Sequence, residues 1–300
     1  GVWTPTANEF ILYNEADMNA TINIDTSFGG SRGGFSASHN TTVSHVYIHN
    51  TNASDQAHTS EMTTDTLTAD DTLQVWSHGY DAWGNWISLV NVDWSGTGAL
   101  SGDVSPTSAS NTTTLTAELV GTGTFSADHA TATDDTTGTI TITPGTAAAW
   151  SVDWTSATSP VTAGDDFGIT VTAHDADGNV ATGFTGSQAI AFAWNGATTA
   201  PDATTTPKEL ADASYTFSAG VYTSPATAFA LYNDADTAAY VAVTGSGLTA
   251  NNTSTLAVDP AAADHYNIVA NDGTSQVAGV GFDIQIQALD PYDNIDTNFA

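Results

Sequence analysis

Three acidic phrases recur along the chain: DAWGN at 81 to 85, DADGN at 175 to 179 and DPYDN at 290 to 294. In the middle copy Asp175, Asp177 and Asn179 stand first, third and fifth, the oxygen spacing of a calcium loop. The twelfth position of such a loop falls on Gly186 rather than a bidentate Glu, so the phrase is not an EF-hand. The other reading is a hairpin turn, in which Asp and Asn bond their own backbone and Gly takes a positive φ. DAWGN lacks the middle acid and favours the turn. A second phrase occurs as LYNEAD at 12 to 17 and LYNDAD at 231 to 236. It gathers Asn14, Glu15 and Asp17, or Asn233, Asp234 and Asp236, into one short loop. A solvated turn and a domain-end calcium site are both open there. Calcium is the candidate cofactor, and no other is expected.

Catalytic chemistry has little to work with. Gly29, Ser31 and Gly33 match the G-x-S-x-G pattern of a hydrolase nucleophile, but that elbow needs a strand before it and a helix after it. FSASHNTTVSHVYIH follows with strand alternation, so the stretch reads as a Gly-rich junction. His45 and His49 share a strand face with Tyr47 while Val46 and Ile48 face inward, and His39 and His58 are near in sequence. Exposed strand histidines are favoured there over a metal site. Trp83 and Trp86 bracket a turn tip, where aromatic rings could stack on a sugar or pack between neighbouring modules. Sequons at Asn19, Asn40, Asn52, Asn111, Asn251 and Asn252 permit glycosylation without indicating it. With no Cys, only Lys208 and Arg32 as cations, and no H-E-x-x-H, the chain offers few activated groups and is expected to be no enzyme.

The elements that must carry these residues are strands. FGITVTA at 167 to 173, FDIQIQA at 282 to 288, TGTITIT at 137 to 143 and YVAVTG at 240 to 245 alternate with period two, and helical periodicity is nearly absent. The fold class is therefore all-β, with Phe167, Ile169 and Val171, and likewise Phe282, Ile284 and Ile286, expected on buried faces. Charge excludes nucleic acid as a partner, because 33 Asp and Glu against 2 Lys and Arg leave −31. Such an anionic surface suits surroundings rich in cations. Hydrophobic residues at 40% supply enough apolar area for cores and argue against disorder. There is no leader-like segment and no apolar run of about 18 residues, so the stretch reads as an interior or mature segment with no membrane insertion.

Internal alignment gives the plan. AGDDFGITVTAHDADGN at 163 to 179 matches AGVGFDIQIQALDPYDN at 278 to 294 with Asp175 over Asp290, an offset of 115 (290 − 175). GVWTPTANEFILYNEAD at 1 to 17 matches GVYTSPATAFALYNDAD at 220 to 236, with Phe10 over Phe229 and Tyr13 over Tyr232. The expected domains are 1–27, the second half of a module; 28–145 and 146–260, whole modules; and 261–300, the first half of a further one. The two halves are expected to pair with polypeptide outside the two whole modules, since a half sandwich leaves edges and an apolar face uncovered.

The phrase order AG..F.ITVTAHDADGNVATGFTG, YTFSAGVYTSPATAFALYN, then a strand and Pro-Ala-Ala-Ala-Asp resembles the tandem bacterial immunoglobulin-like repeats of surface-layer proteins and large adhesins. DAWGNWISLVNVDWSGTGALSG and GTGTFSADHATATDDTTGTITITPG are similar to the invasin or intimin-type group. The resemblance implies tandem immunoglobulin-like β-sandwiches at the cell surface or outside the cell. The expected function is a structural, self-assembling surface-layer or filament building block. Its partners would be copies of itself or neighbouring modules of a longer chain. An adhesin stalk or glycan-binding surface protein is the alternative, with glycans as ligands, and accessory domains of a polysaccharide-degrading enzyme form a third class.

Overall fold

Alternating stretches become strands throughout. The computed structural model describes residues 20–21, 34–35, 41–270 and 275–299, and among them the only helical element is a 3-10 turn at Gly98–Leu100. Two units divide the chain, Gly1–Thr143 and Pro144–Ala300. Each holds an immunoglobulin-like β-sandwich.

In the second unit the strand Ile169–His174 reads ITVTAH, and its period two sends Ile169, Val171 and Ala173 inward. It pairs antiparallel with Ala149–Trp154, setting Trp150 beside Ala173 and Val152 beside Val171. Val221–Thr223 completes that sheet. The facing sheet runs Ala213–Phe217, Gly186–Asn195, Tyr240–Gly245, Asn251–Asn252. Between the two sheets lie Trp150, Phe167, Phe192, Phe217, Phe229, Val241 and Val243, all buried. Phe167 meets Trp154 edge to face at 5.0 Å, a favoured aromatic geometry.

The first unit repeats the scheme with other side chains. His45–His49 pairs with Thr72–Tyr80, which pairs with Thr112–Thr116 and, at its far end, with Trp86–Leu89. Val46, Ile48, Val75, Trp94, Leu115, Phe125, Ile140 and Ile142 fill the core. Gly79 sits where the register with Trp86–Leu89 shifts, and a Cβ there would press into Val90 at 2.6 Å.

After the whole sandwich of the second unit, His265–Ala270 and Ile284–Leu289 form one more antiparallel pair, with Ile268 beside Ile286. This is the Ala149–Trp154 and Ile169–His174 pair over again. Phe282, Ile284 and Ile286 were expected to be buried, yet they are 50%, 51% and 58% exposed. The physical reason is missing cover: no described residue after 260 supplies counterparts of the Gly186–Asn195 and Tyr240–Gly245 strands. The apolar face of this half module is bare among the described residues, and the turn end docks on the module before it.

Candidate functional site

The acidic phrases all fold as turns around a buried aspartate. Asp175 accepts the Asp177 and Asn179 amides at Oδ1, 3.1 and 2.8 Å, and the Asn179 Nδ2 and Gly145 N at Oδ2, 3.0 and 2.9 Å. Its own N–H reaches the Asn179 carbonyl, and Gly178 takes φ +86. Burial pushes this carboxyl up, but the N–H donors, with Gly145 first, outweigh it and hold the group below its usual range. Asp290 repeats the pattern with Tyr292 N, Asn294 N, Asn294 Nδ2 and Ala261 N, all at 2.8 to 2.9 Å. Asp81 accepts Trp83 N, Asn85 N and Asn85 Nδ2 in the same way. Gly145 and Ala261 each stand four residues before the first strand of their module, so this carboxylate also ties the incoming linker to the sandwich.

LYNDAD is built differently. The buried Asp236 carboxylate accepts Thr198 N and Thr198 Oγ1 at 3.1 and 2.6 Å. Asn233 donates to Thr198 Oγ1 and the Thr199 carbonyl, and accepts Ala235 N. The half-buried Asp234 carboxyl is pushed up by burial, with the charges of Asp290 and Asp236 adding to the shift. Among the described residues no group of three or more His, Asp or Glu side chains is placed to hold a metal ion. Asn14, Glu15, Asp17 and the Gly29, Ser31, Gly33 pattern lie outside the described residues, as does His39.

The two phrases meet. The DPYDN turn of the half module seats on the LYNDAD loop of the whole module before it. Tyr292 packs on Tyr232 with ring centroids 4.9 Å apart. Asn294 donates Nδ2 to the Tyr232 carbonyl at 2.8 Å, and its Oδ1 accepts Asp234 N at 3.0 Å. Asp202 N reaches the Tyr292 carbonyl at 3.1 Å. Gly164, at φ +87, lies directly under the Tyr292 ring, where any Cβ would collide with the phenol. Burial, then Tyr232 and the nearby Asp290, Asp165 and Asp166, raise the Tyr292 hydroxyl above its ordinary value. The result is an interlocked joint made from a tilted ring contact and three hydrogen bonds.

In the first unit His49 is fully buried, which corrects the expectation of exposed strand histidines; His45 is half-buried. The 50 to 62 stretch folds over the outer face of the His45–His49 and Thr72–Tyr80 strands. His49 stacks on His78 at 4.1 Å, and His58 on Tyr80 at 4.2 Å. Tyr80 donates to the Asp55 carbonyl at 2.6 Å and faces His49 Nε2 at 3.2 Å. Ser60 links His49 Nδ1 to the Asp55 carboxylate. His78 Nε2 donates to the Thr51 carbonyl, while its Nδ1 accepts from Trp86 Nε1. Both ring nitrogens of His78 are thus committed in the neutral form, and a second proton would point at another N–H. Burial first, then His78, lower His49 to about 4, against the opposing pull of Asp55. Burial pushes Asp55 up, but Ser60 and its neighbours more than reverse that and hold it low. Period two placed residues 45, 47 and 49 on one face; it carried no signal that a polar loop would cover them. Trp86 is half-buried on His78, whereas Trp83 is 51% exposed at its turn.

No protein-family model matches the chain, and no curated protein does. Among solved structures, the Escherichia coli adhesin FdeC is similar at 18% identity, over 85% of this chain and 76% of that one, with a TM-score of 0.33. The Yersinia pseudotuberculosis adhesin InvE is also 18% identical, over 64% of this chain and 56% of that one, at TM-score 0.26. A Parabacteroides merdae β-glucuronidase matches at 14% identity and TM-score 0.24, over 69% of this chain and 23% of the enzyme. Two adhesins and an enzyme share this low level of likeness, so function is read from the chain's own surfaces.

Proposed function

We propose that this chain is a non-enzymatic, load-carrying stretch of an extracellular microbial surface protein, in which immunoglobulin-like sandwiches are strung head to tail into a surface layer or filament. The observation that carries the reading is the joint. Two phrases that recur along the sequence meet in it, so each further copy of the pair extends the array by the same contact. A junction held by packed rings and hydrogen bonds restricts bending in a way a plain linker does not. Copies of the chain or neighbouring modules are then the partners, and the surface is too anionic for nucleic acid, with −31 formal charge. No helix among the described residues is long and apolar enough to cross a membrane.

Calcium belongs to this reading as a neutralising ion. Carboxylates crowd near the joint, and thermal unfolding with calcium and with chelator at matched ionic strength should differ in its favour; identical curves would leave general screening alone. The assembly itself is tested by electron microscopy of the purified chain, where sheets or fibres are expected. Monodisperse particles that bind glycans or host cells through isolated modules would favour an adhesin stalk instead.

A further inference from the structure

The left-handed backbone of Gly164, on which the Tyr292 ring lies, recurs in the other modules. Asp70 is its equivalent in the first unit. The Asp70 N–H reaches the Ala117 carbonyl as the Gly164 N–H reaches the Leu231 carbonyl, and the Asp71 and Asp165 amides both turn back to a threonine carbonyl, Thr68 and Thr162. Thr72 beside Thr116 and Asp166 beside Ala230 give the same register. Asp70 takes φ +78 and Gly279, the matching residue of the half module, takes +86, against +87 at Gly164. The bend therefore belongs to the module, and Asp70 shows that it tolerates a side chain. Backbone conformation alone does not call for glycine at 164. The ring does: a Cβ there would lie 2.8 Å from the Tyr292 Cζ and nearer still to its hydroxyl oxygen. Since Ala117 answers to Leu231, the same equivalence puts Glu118 in the place of Tyr232, and both Asp70 and Glu118 are exposed. The turns keep the match. DPYDN, which follows Gly164 and Tyr232 in sequence, carries Tyr292 as its third residue, and DADGN, which follows Asp70 and Glu118, carries Asp177.

We infer that Gly164 and Tyr232 form a socket that selects the module joined to it: it admits an acidic turn whose third residue is aromatic, and a module with Asp70 and Glu118 at these places refuses such a turn. This deepens the reading of the joint as the repeating contact of an array and rests on it. At residue 164 the selection is steric, because only glycine leaves room for the phenol. At residue 232 it is a matter of packing and charge. Tyr232 gives the incoming ring an apolar face at 4.9 Å. Asp165, Asp166 and Asp290 already lie near Tyr292, so a glutamate in place of Tyr232 would exchange that packing for one more carboxylate. Two substitutions thus turn a socket for a ring into a surface that repels an acidic turn, which is specificity by exclusion as much as by attraction. The partner is recognised by its chemistry, an immunoglobulin-like module whose turn places an aromatic residue between a buried Asp and a buried Asn, as Tyr292 stands between Asp290 and Asn294.

Hydrogen exchange by mass spectrometry on the whole chain tests this with Gly164→Ala, Tyr292→Ala and the double variant. It is read at the Asp202 and Asp234 amides, which bond across the joint to the Tyr292 carbonyl and to Asn294 Oδ1. Gly164→Ala should speed exchange of both roughly tenfold while the ring is present, and by less than about twofold once Tyr292→Ala has removed it. Gly164→Asp, which installs the residue of the first unit, should do at least as much as Gly164→Ala. A similar factor with and without the ring would report backbone strain alone and overturns the proposal, as does no change in either background. Should Gly164→Ala also speed exchange in the Ile169–His174 and Tyr240–Gly245 strands, Tyr232→Glu takes its place in the same cycle, and an effect independent of Tyr292 overturns the proposal equally. The readout lies within one chain, so a failure here is distinct from a failure of copies to form sheets or fibres.

Discussion

The strand pair Ala149–Trp154 with Ile169–His174 and the pair His265–Ala270 with Ile284–Leu289 are one element written twice, and they meet different fates. The first buries Ile169 and Val171 completely, under a facing sheet. The second leaves Ile284 and Ile286 more than half exposed. Both keep the same pairing, and both end in the same aspartate-centred turn. Strand register and turn are thus local properties of the phrase, whereas burial is a property of what lies opposite. The first unit offers a third version, His45–His49 with Thr72–Tyr80, covered on both faces. Its outer positions Tyr47, His49, His78 and Tyr80 correspond to Ser151, Asp153, Thr172 and His174. Where the second unit leaves these half or fully exposed, the first builds a small polar core beneath a loop.

The sharpest contrast is a pair of equivalent truncations. Phe167→Ala should cost about 3 to 5 kcal/mol in urea unfolding, because the ring is buried against Trp154. Phe282→Ala should cost less than about 0.5 kcal/mol, the ordinary scale for a surface site. Equal costs would mean that the second pair is covered after all.

Acid should separate the two units. His49 binds its proton near pH 4 when folded and near 6.5 when unfolded, so the unfolded chain holds more protons between those values and stability falls as pH drops through them. The full contribution is present above the unfolded value and amounts to about 3 kcal/mol. His78, also lowered by burial, acts in the same direction. The described residues of the second unit include no buried histidine. Calorimetry from pH 7 to 4 should show the first unit's transition falling ahead of the second's; parallel shifts would break the distinction.

A smaller effect is expected at the turns. Asp175→Asn replaces one acceptor oxygen by a donor among N–H groups, and should destabilise the second unit by about 1 to 3 kcal/mol. A change near zero in thermal unfolding would remove the buried carboxylate from its role as the linker's anchor.

Much of this was legible in the sequence. Period two in FGITVTA located Phe167, Ile169 and Val171 because strand geometry allows few other arrangements. DADGN announced a turn because Asp, Gly and Asn each have a local reason to be there. What escaped depended on distance. Nothing in NTNASDQAHTSEM says that it will fold over His49, and nothing in LYNDAD says that a turn some 50 residues on will seat against it, since such contacts are fixed only by the assembled fold. The same limit explains Ile284 and Ile286: alternation marks a face fit for burial and leaves open what covers it.

The claim that the repeated phrases are two halves of one joint is tested most directly by a double-mutant cycle on Tyr232 and Tyr292, measured by chemical unfolding of the second unit. Tyr232→Ala and Tyr292→Ala should each destabilise it, and the double variant should lose less than their sum, with a coupling of about 0.5 to 1.5 kcal/mol. Strictly additive losses would mean that the rings touch without holding the modules together, and would contradict the account.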